Sequence, residues 1–259
     1  MMNQISSLAG VRAPAPAVSV IGEWRRYADF LRRPALPERA SGPNARSVLA
    51  TGRLLLLDYA LMAVLMTVGV IAYAAGVEFP QNELENLEWG VGTLLLVVIG
   101  APIFEEVLFR GWLSGRLGHA LATLLAVPAL AIMTSVLAIS ALGQPGDNNA
   151  SMLGMSAVLL LIAAALIYAF RHRDAARWFT RVFPLFFWLS ALGFATIHIW
   201  NYAGEKSPLV FLLVIPQLVA GTIFAYARVN YGLWSAILLH MLHNGTAVAL
   251  ALSMGEVMG

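Results

Sequence analysis

The chain of 259 residues contains no cysteine. A disulfide, a thiolate metal site and a thiol nucleophile are therefore all excluded, and with the last goes one whole class of protease. Charge is the second scarcity. Sixteen Lys and Arg with 14 Asp and Glu make up 12% of the chain, where a soluble protein carries about a quarter. Apolar residues reach 59% and mean hydropathy is +0.76, so a water-soluble globular domain is excluded. Apolar runs of about 20 residues recur, and they are continuous rather than alternating. The fold class that follows is all-α, a polytopic transmembrane helical bundle rather than a β-barrel.

Residues 1–53 hold 11 of the 30 charges. No long apolar stretch with a cleavage site opens the chain, so a cleaved signal peptide is not expected. Within this arm Val20, Ile21, Trp24, Tyr27, Ala28 and Leu31 recur at helical spacing among Arg25, Arg26, Arg32 and Arg33. That pattern predicts a short amphipathic helix on an anionic membrane surface. Pro34, Pro37 and Pro43 then mark a flexible linker. Residues 54–252 divide into seven spans, at about 54–76, 89–110, 121–142, 152–170, 182–201, 208–227 and 232–252. Eight Arg in the arm, Arg110 and Arg116, the four Arg of 171–181 and Arg228 fall on one side. The alternate connections hold Glu78, Glu83, Glu85, Glu88, Asp147 and Glu205, with Lys206 as their one base. This positive-inside bias predicts a cytoplasmic amino terminus and an outer carboxyl terminus.

Four charged residues fall within the spans: Asp58, Glu105, Glu106 and Arg110. A charge at the bilayer centre costs about 2.5–3.5 kcal/mol on insertion scales, so each needs a reason. Asp58, one turn past Arg53, reads as an interfacial partner of that arginine. Glu106 and Arg110 stand four apart and can pair along one helix face. Glu105 points about 100° away and is left without that partner. A buried ion pair that pins helices accounts for Glu106 and Arg110 but not for Glu105.

Of the five histidines, His119 and His172 fall in cytoplasmic loops, where solvated roles suffice. His198, His240 and His243 lie within spans; Phe194 shares a face with His198, as His240 does with Asn244. A lone intramembrane His is usually a helix–helix contact. Two His-bearing helices beside a diacidic one suit the activation of water, because desolvation makes a carboxylate a better base. An Asn amide and a His N–H can donate to the oxyanion of a tetrahedral intermediate. Other intramembrane hydrolases fit badly: no His-Glu-x-x-His is present, and there is no Gly-x-Gly-Asp. The nearest Ser–His pair, Ser114 and His119, belongs to a loop.

Three motifs run in order on separate spans: Glu105-Glu106-Val-Leu-Phe-Arg110, Phe194-Ala-Thr-Ile-His198 and His240-Met-Leu-His-Asn244. Together they resemble the Glu-Glu-x-x-x-Arg, Phe-x-x-x-His and His-x-x-x-Asn of the type II CAAX prenyl endopeptidase and bacteriocin-processing family (CPBP or ABI), the glutamic intramembrane proteases. The resemblance covers about 89–252 and not the amino-terminal arm. It implies that Glu105 and His198 activate the attacking water, that His240 and Asn244 stabilise the oxyanion, and that Glu106 and Arg110 orient the site. It also implies that no metal or other cofactor is required. His243 matches no motif position and reads as packing. In many members the diacidic helix is followed almost directly by the Phe-x-x-x-His helix; here a hairpin of two spans, 121–170, stands between them as an insertion, and as a pair it preserves their relative orientation.

At about 1.5 Å per residue, His240 sits about 13 Å and His198 about 25 Å from the inner face. The two can meet at Glu105 only if residues 178–187, interrupted by Pro184, lie in the cytoplasmic interface. The function expected is hydrolysis of a peptide bond in a membrane-associated, prenylated or leader-type peptide, in a bacterial inner membrane. The partners are membrane lipids and a peptide or protein substrate, with no nucleic acid. The alternative is a non-enzymatic bacteriocin self-immunity or scaffold protein; a proton-relaying transporter is a weaker third.

Overall fold

The structure is a computed structural model that describes residues 16–141, 146–202 and 207–258. Residues 1–15 of the arm, 143–145 of the connection after the third span, and Glu205 with Lys206 lie outside the described residues. Among those described there are helices and no strands: α1 (Val20–Arg32), α2 (Ala45–Ala74), α3 (Val91–Arg110), α4 (Leu117–Ala141), α5 (Asn149–Ala169), α6 (Arg177–Ile197), α7 (Ile215–Asn230) and α8 (Leu233–Met258). A 3₁₀ turn (His198–Tyr202) extends α6, and a one-turn helix (Val210–Leu213) precedes α7. Seven of these segments are long and apolar enough to cross a membrane, which makes the chain an integral, multi-pass membrane protein.

The span expected from residue 54 begins earlier, as α2 at Ala45. Asn44 caps it, its side chain accepting from the Arg46 and Ser47 amides while Ser47 caps back. A boundary between arm and bundle at residue 53 therefore cuts a helix: Arg46 and Arg53 mark the edge of the apolar run, not the end of the backbone pattern. The helix expected in the arm is present as α1, but protein occupies its apolar face. Tyr27 bonds Thr222 at 2.6 Å, Trp24 donates to the Arg53 carbonyl at 2.8 Å, and Phe30 meets Phe187 edge-on. Glu23, wholly buried, accepts from the Ala17 amide and from the Tyr226 and Tyr231 hydroxyls. Burial first, then the neighbouring Tyr226 and Glu23, push the Tyr231 hydroxyl to a higher pKa, so it stays a donor to that carboxylate.

At the centre is α7, buried on every side from Ala220 to Asn230. Along α6, Phe179, Phe183, Phe187, Ala191 and Phe194 form one buried stripe at spacings of three and four. Its first half packs with Leu36 of the arm, Leu113 and Val229, so residues 179–187 stand level with the arm and the loop after α3. The backbone runs on through Pro184 as one helix. Continued by four residues, the stripe delivers His198. The α4–α5 hairpin holds chiefly to itself and touches the rest through α4 against α3.

Candidate active site

Local sequence shapes α3 before any side chain meets another. Pro102 has no N–H to give the preceding turn. The Ala101 amide bonds Leu96, five residues back, in a π turn spanning Leu96–Gly100. The Val97 carbonyl is thereby deprived of both amides that ordinarily reach it, and the Asn244 side-chain N–H₂ supplies a donor at 3.0 Å. Asn244 is thus held with its amide nitrogen toward α3, and its second N–H remains for another partner.

Past the π turn, Pro102, Glu106 and Arg110 form the buried face of α3. Glu106 and Arg110 are both wholly buried and joined by a direct ion pair, as their spacing predicts. Arg110 also donates to the Gly221 carbonyl at 3.3 Å, and its guanidinium lies 4.2 Å over the Phe194 ring. A Cβ at 221 would stand 3.0 Å from the Phe194 ring and 3.3 Å from Arg110, so any larger residue at this close approach of α7 presses on both. Arg228 secures the turn below by donating to the Arg110 and Gly111 carbonyls at 2.8 and 3.1 Å.

Glu105, one residue round the helix, faces the histidines. Its Oε2 lies 3.9 Å from His198 Nε2 and 3.8 Å from His240 Nε2, and it is buried without a hydrogen-bond partner. Both imidazoles are oriented from behind. His198 Nδ1 is 2.7 Å from the Phe194 carbonyl, which only accepts, so Nδ1 carries the proton. His240 Nδ1 stands 3.0 Å from Glu106, a carboxylate, and donates likewise. Each ring then turns its Nε2 toward Glu105. Phe224 stacks on His240 at 4.9 Å and Phe194 meets it edge-on, fixing the ring plane.

Glu105, His198, His240 and Asn244 line one cavity of about 870 Å³. The structure therefore brings the first three to a common point, with Glu106 and Arg110 directly behind and Asn244 on the same wall. His198 and His240 meet at Glu105 because the first half of α6 lies beyond the motif level, which removes the mismatch in depth. A carboxylate and two imidazoles are donor types that zinc accepts, yet no group of three or more among the described residues has metal-holding spacing.

Three residues behave differently from their sequence reading. Asp58 does not pair with Arg53, because five residues place them about 140° apart on a helix. Its carboxylate is wholly buried and accepts from His243 Nδ1 at 2.7 Å. Arg53 instead holds the Ala17 and Val18 carbonyls of the arm. His243, on the cavity wall, is thus one half of a second carboxylate–imidazole pair and not mere packing. The signal was present: an acid within a span, and a third histidine one turn from the second. His119 is not in a solvated loop either; it starts α4 half-buried, 2.7 Å from the Ser114 hydroxyl and 3.5 Å from the Arg228 guanidinium, and it does not line the cavity of the motif residues.

The model of one protein family, type II CAAX prenyl endopeptidase Rce1-like, matches residues 87–175 and 169–246. The matches cover more than half of the chain and contain all three motifs. A membrane protease family is the class that this fold and match define. The chain belongs to the Rce1-like type II CAAX prenyl endopeptidases. No curated protein and no solved structure is similar enough to count as a match.

Proposed function

We propose that the protein is a glutamic endopeptidase that cuts a membrane-associated peptide within the bilayer. The observation that carries this reading is the placement of Glu105 Oε2 3.9 and 3.8 Å from two Nε2 atoms. A direct hydrogen bond does not span that gap, whereas one water molecule does. Glu105 and His198 then accept a proton from water as its oxygen attacks the scissile carbonyl carbon. The oxyanion that forms is held by the second N–H of Asn244 and by the Nε2–H of His240, which enters the step already as an imidazolium and keeps both of its protons throughout. Glu106 behind Nδ1 balances the charge of that imidazolium, and Arg110 holds Glu106 in place. Collapse of the intermediate breaks the C–N bond, and the departing amine takes the proton held at Glu105. The α4–α5 hairpin stands between the motif helices in sequence and lies within the matched residues 87–175.

The test is mass spectrometry of membrane-derived peptides from cells carrying the wild type or Glu105→Gln. Peptides present only with the wild type are the expected result. General-base catalysis contributes about 10²–10⁴-fold, so cleavage should drop by that order in the variant while its thermal unfolding in detergent is unchanged. Identical peptide profiles would sink the protease reading in favour of a non-enzymatic immunity or scaffold role.

A further inference from the structure

Among the described residues, the cavity that holds Glu105 extends toward one end of the bundle. Its mouth carries Asn82, Trp89 and Asn201, from the connections before α3 and after α6. Toward the opposite end it is shut. Glu106 and Arg110 form a wholly buried plug, the Phe194 ring covers the guanidinium, and Arg228 ties down the carbonyls beneath. A second cavity, of about 550 Å³, lies at that other end and shares no lining residue with the first.

The two ends differ in charge as well. Connections at the mouth end carry Glu78, Glu83, Glu88 and Asp147. The opposite end carries Arg116, Arg171, Arg173, Arg177 and Arg181, and the arginine-rich arm docks there against Tyr226 and Tyr231. Arginine in short connections marks the cytoplasmic side of a membrane protein. The mouth and the arginines are therefore on opposite faces of the membrane.

We propose that the cavity opens to the non-cytoplasmic face, and that its substrate is an exported, membrane-anchored polypeptide cut from outside. The inference rests on the protease reading above and adds its side and substrate class. Val97, Ala101, Ala247, Val248 and Ala251 give the cavity apolar walls, while the mouth offers the Asn82 and Asn201 amides. A chain with an apolar stretch held in the lipid and a polar end outside matches that gradient. A cytoplasmic peptide would have to pass the Glu106–Arg110 plug, two charges without a solvent-exposed atom to admit it.

The absence of native cysteine makes the test clean, since each introduced thiol is the only one in the chain. Glu88→Cys and Asn201→Cys mark the mouth, and Arg173→Cys marks the other end. Each is treated with a membrane-impermeant maleimide in spheroplasts and in inverted vesicles. The mouth thiols should label in spheroplasts only, and Arg173→Cys in inverted vesicles only. The reverse pattern, or mouth labelling from both sides, overturns the proposal. Peptides that depend on Glu105 should appear in the exterior fraction; their appearance in the cytoplasmic fraction overturns it too. If no peptide depends on Glu105, the protease reading fails, and the labelling still decides which way the cavity faces.

Discussion

His240 donates through Nδ1 to Glu106 at 3.0 Å and turns its other nitrogen to within 3.8 Å of Glu105. One imidazole thus separates two adjacent carboxylates into different tasks. Glu106 pairs with Arg110 and orients the ring, whereas Glu105 stands outside that ion pair and lines the cavity. Adjacent glutamates would otherwise repel; the helical turn of about 100° between them lets one face a cation and the other the cavity.

Glu106→Gln tests that division. Its amide can still meet His240, but it no longer balances Arg110, which remains buried without a counter-charge. Removing one partner of a buried ion pair costs about 3–5 kcal/mol, so thermal unfolding in detergent should fall sharply. Glu105→Gln should leave it unchanged. Equal stability for both variants would contradict the assignment.

Asn244 has a structural task as well as the proposed catalytic one, and the two are separable. Asn244→Ala strands the Val97 carbonyl, at a cost of about 1–3 kcal/mol. Adding Pro102→Ala restores an amide to that turn and should recover stability without recovering cleavage. Recovery of both would reduce Asn244 to a helix clamp.

Asp58 and His243 should behave as a unit. His243→Phe leaves a wholly buried carboxylate unpaired, whereas the double variant with Asp58→Asn removes the charge too. A double-mutant cycle on detergent stability should therefore give a coupling of about 0.5–3 kcal/mol. Additive effects would show that the contact at 2.7 Å carries no energy of its own.

Cleavage should survive treatment with metal chelators, since Glu105 and His198 act on water directly in the proposed mechanism. A chelator that abolishes cleavage, with zinc restoring it, would replace that mechanism with a metal-assisted one at the same three side chains.

The sequence by itself determined the class of the molecule and which charges lie within its spans. Long apolar runs leave a helical bundle as the one way to satisfy the backbone in lipid, and few charges survive within such runs unless they are used. Glu105, Glu106 and Arg110 stand out for that reason, and their pairing follows from helical geometry alone. Tertiary structure decided which side chains meet across helices. The partner of Asp58 lies 185 positions away in His243, and the lone cation nearby in sequence proved to be on another face of the helix. The docking of α1 was likewise invisible, because an apolar face reads the same whether lipid or protein covers it. Nor could periodicity reveal that Pro102 leaves the Val97 carbonyl for Asn244, since that need arises in one backbone turn and is met by a side chain from another helix. Contacts between helices depend on depth and rotation, which spacing along one helix does not encode.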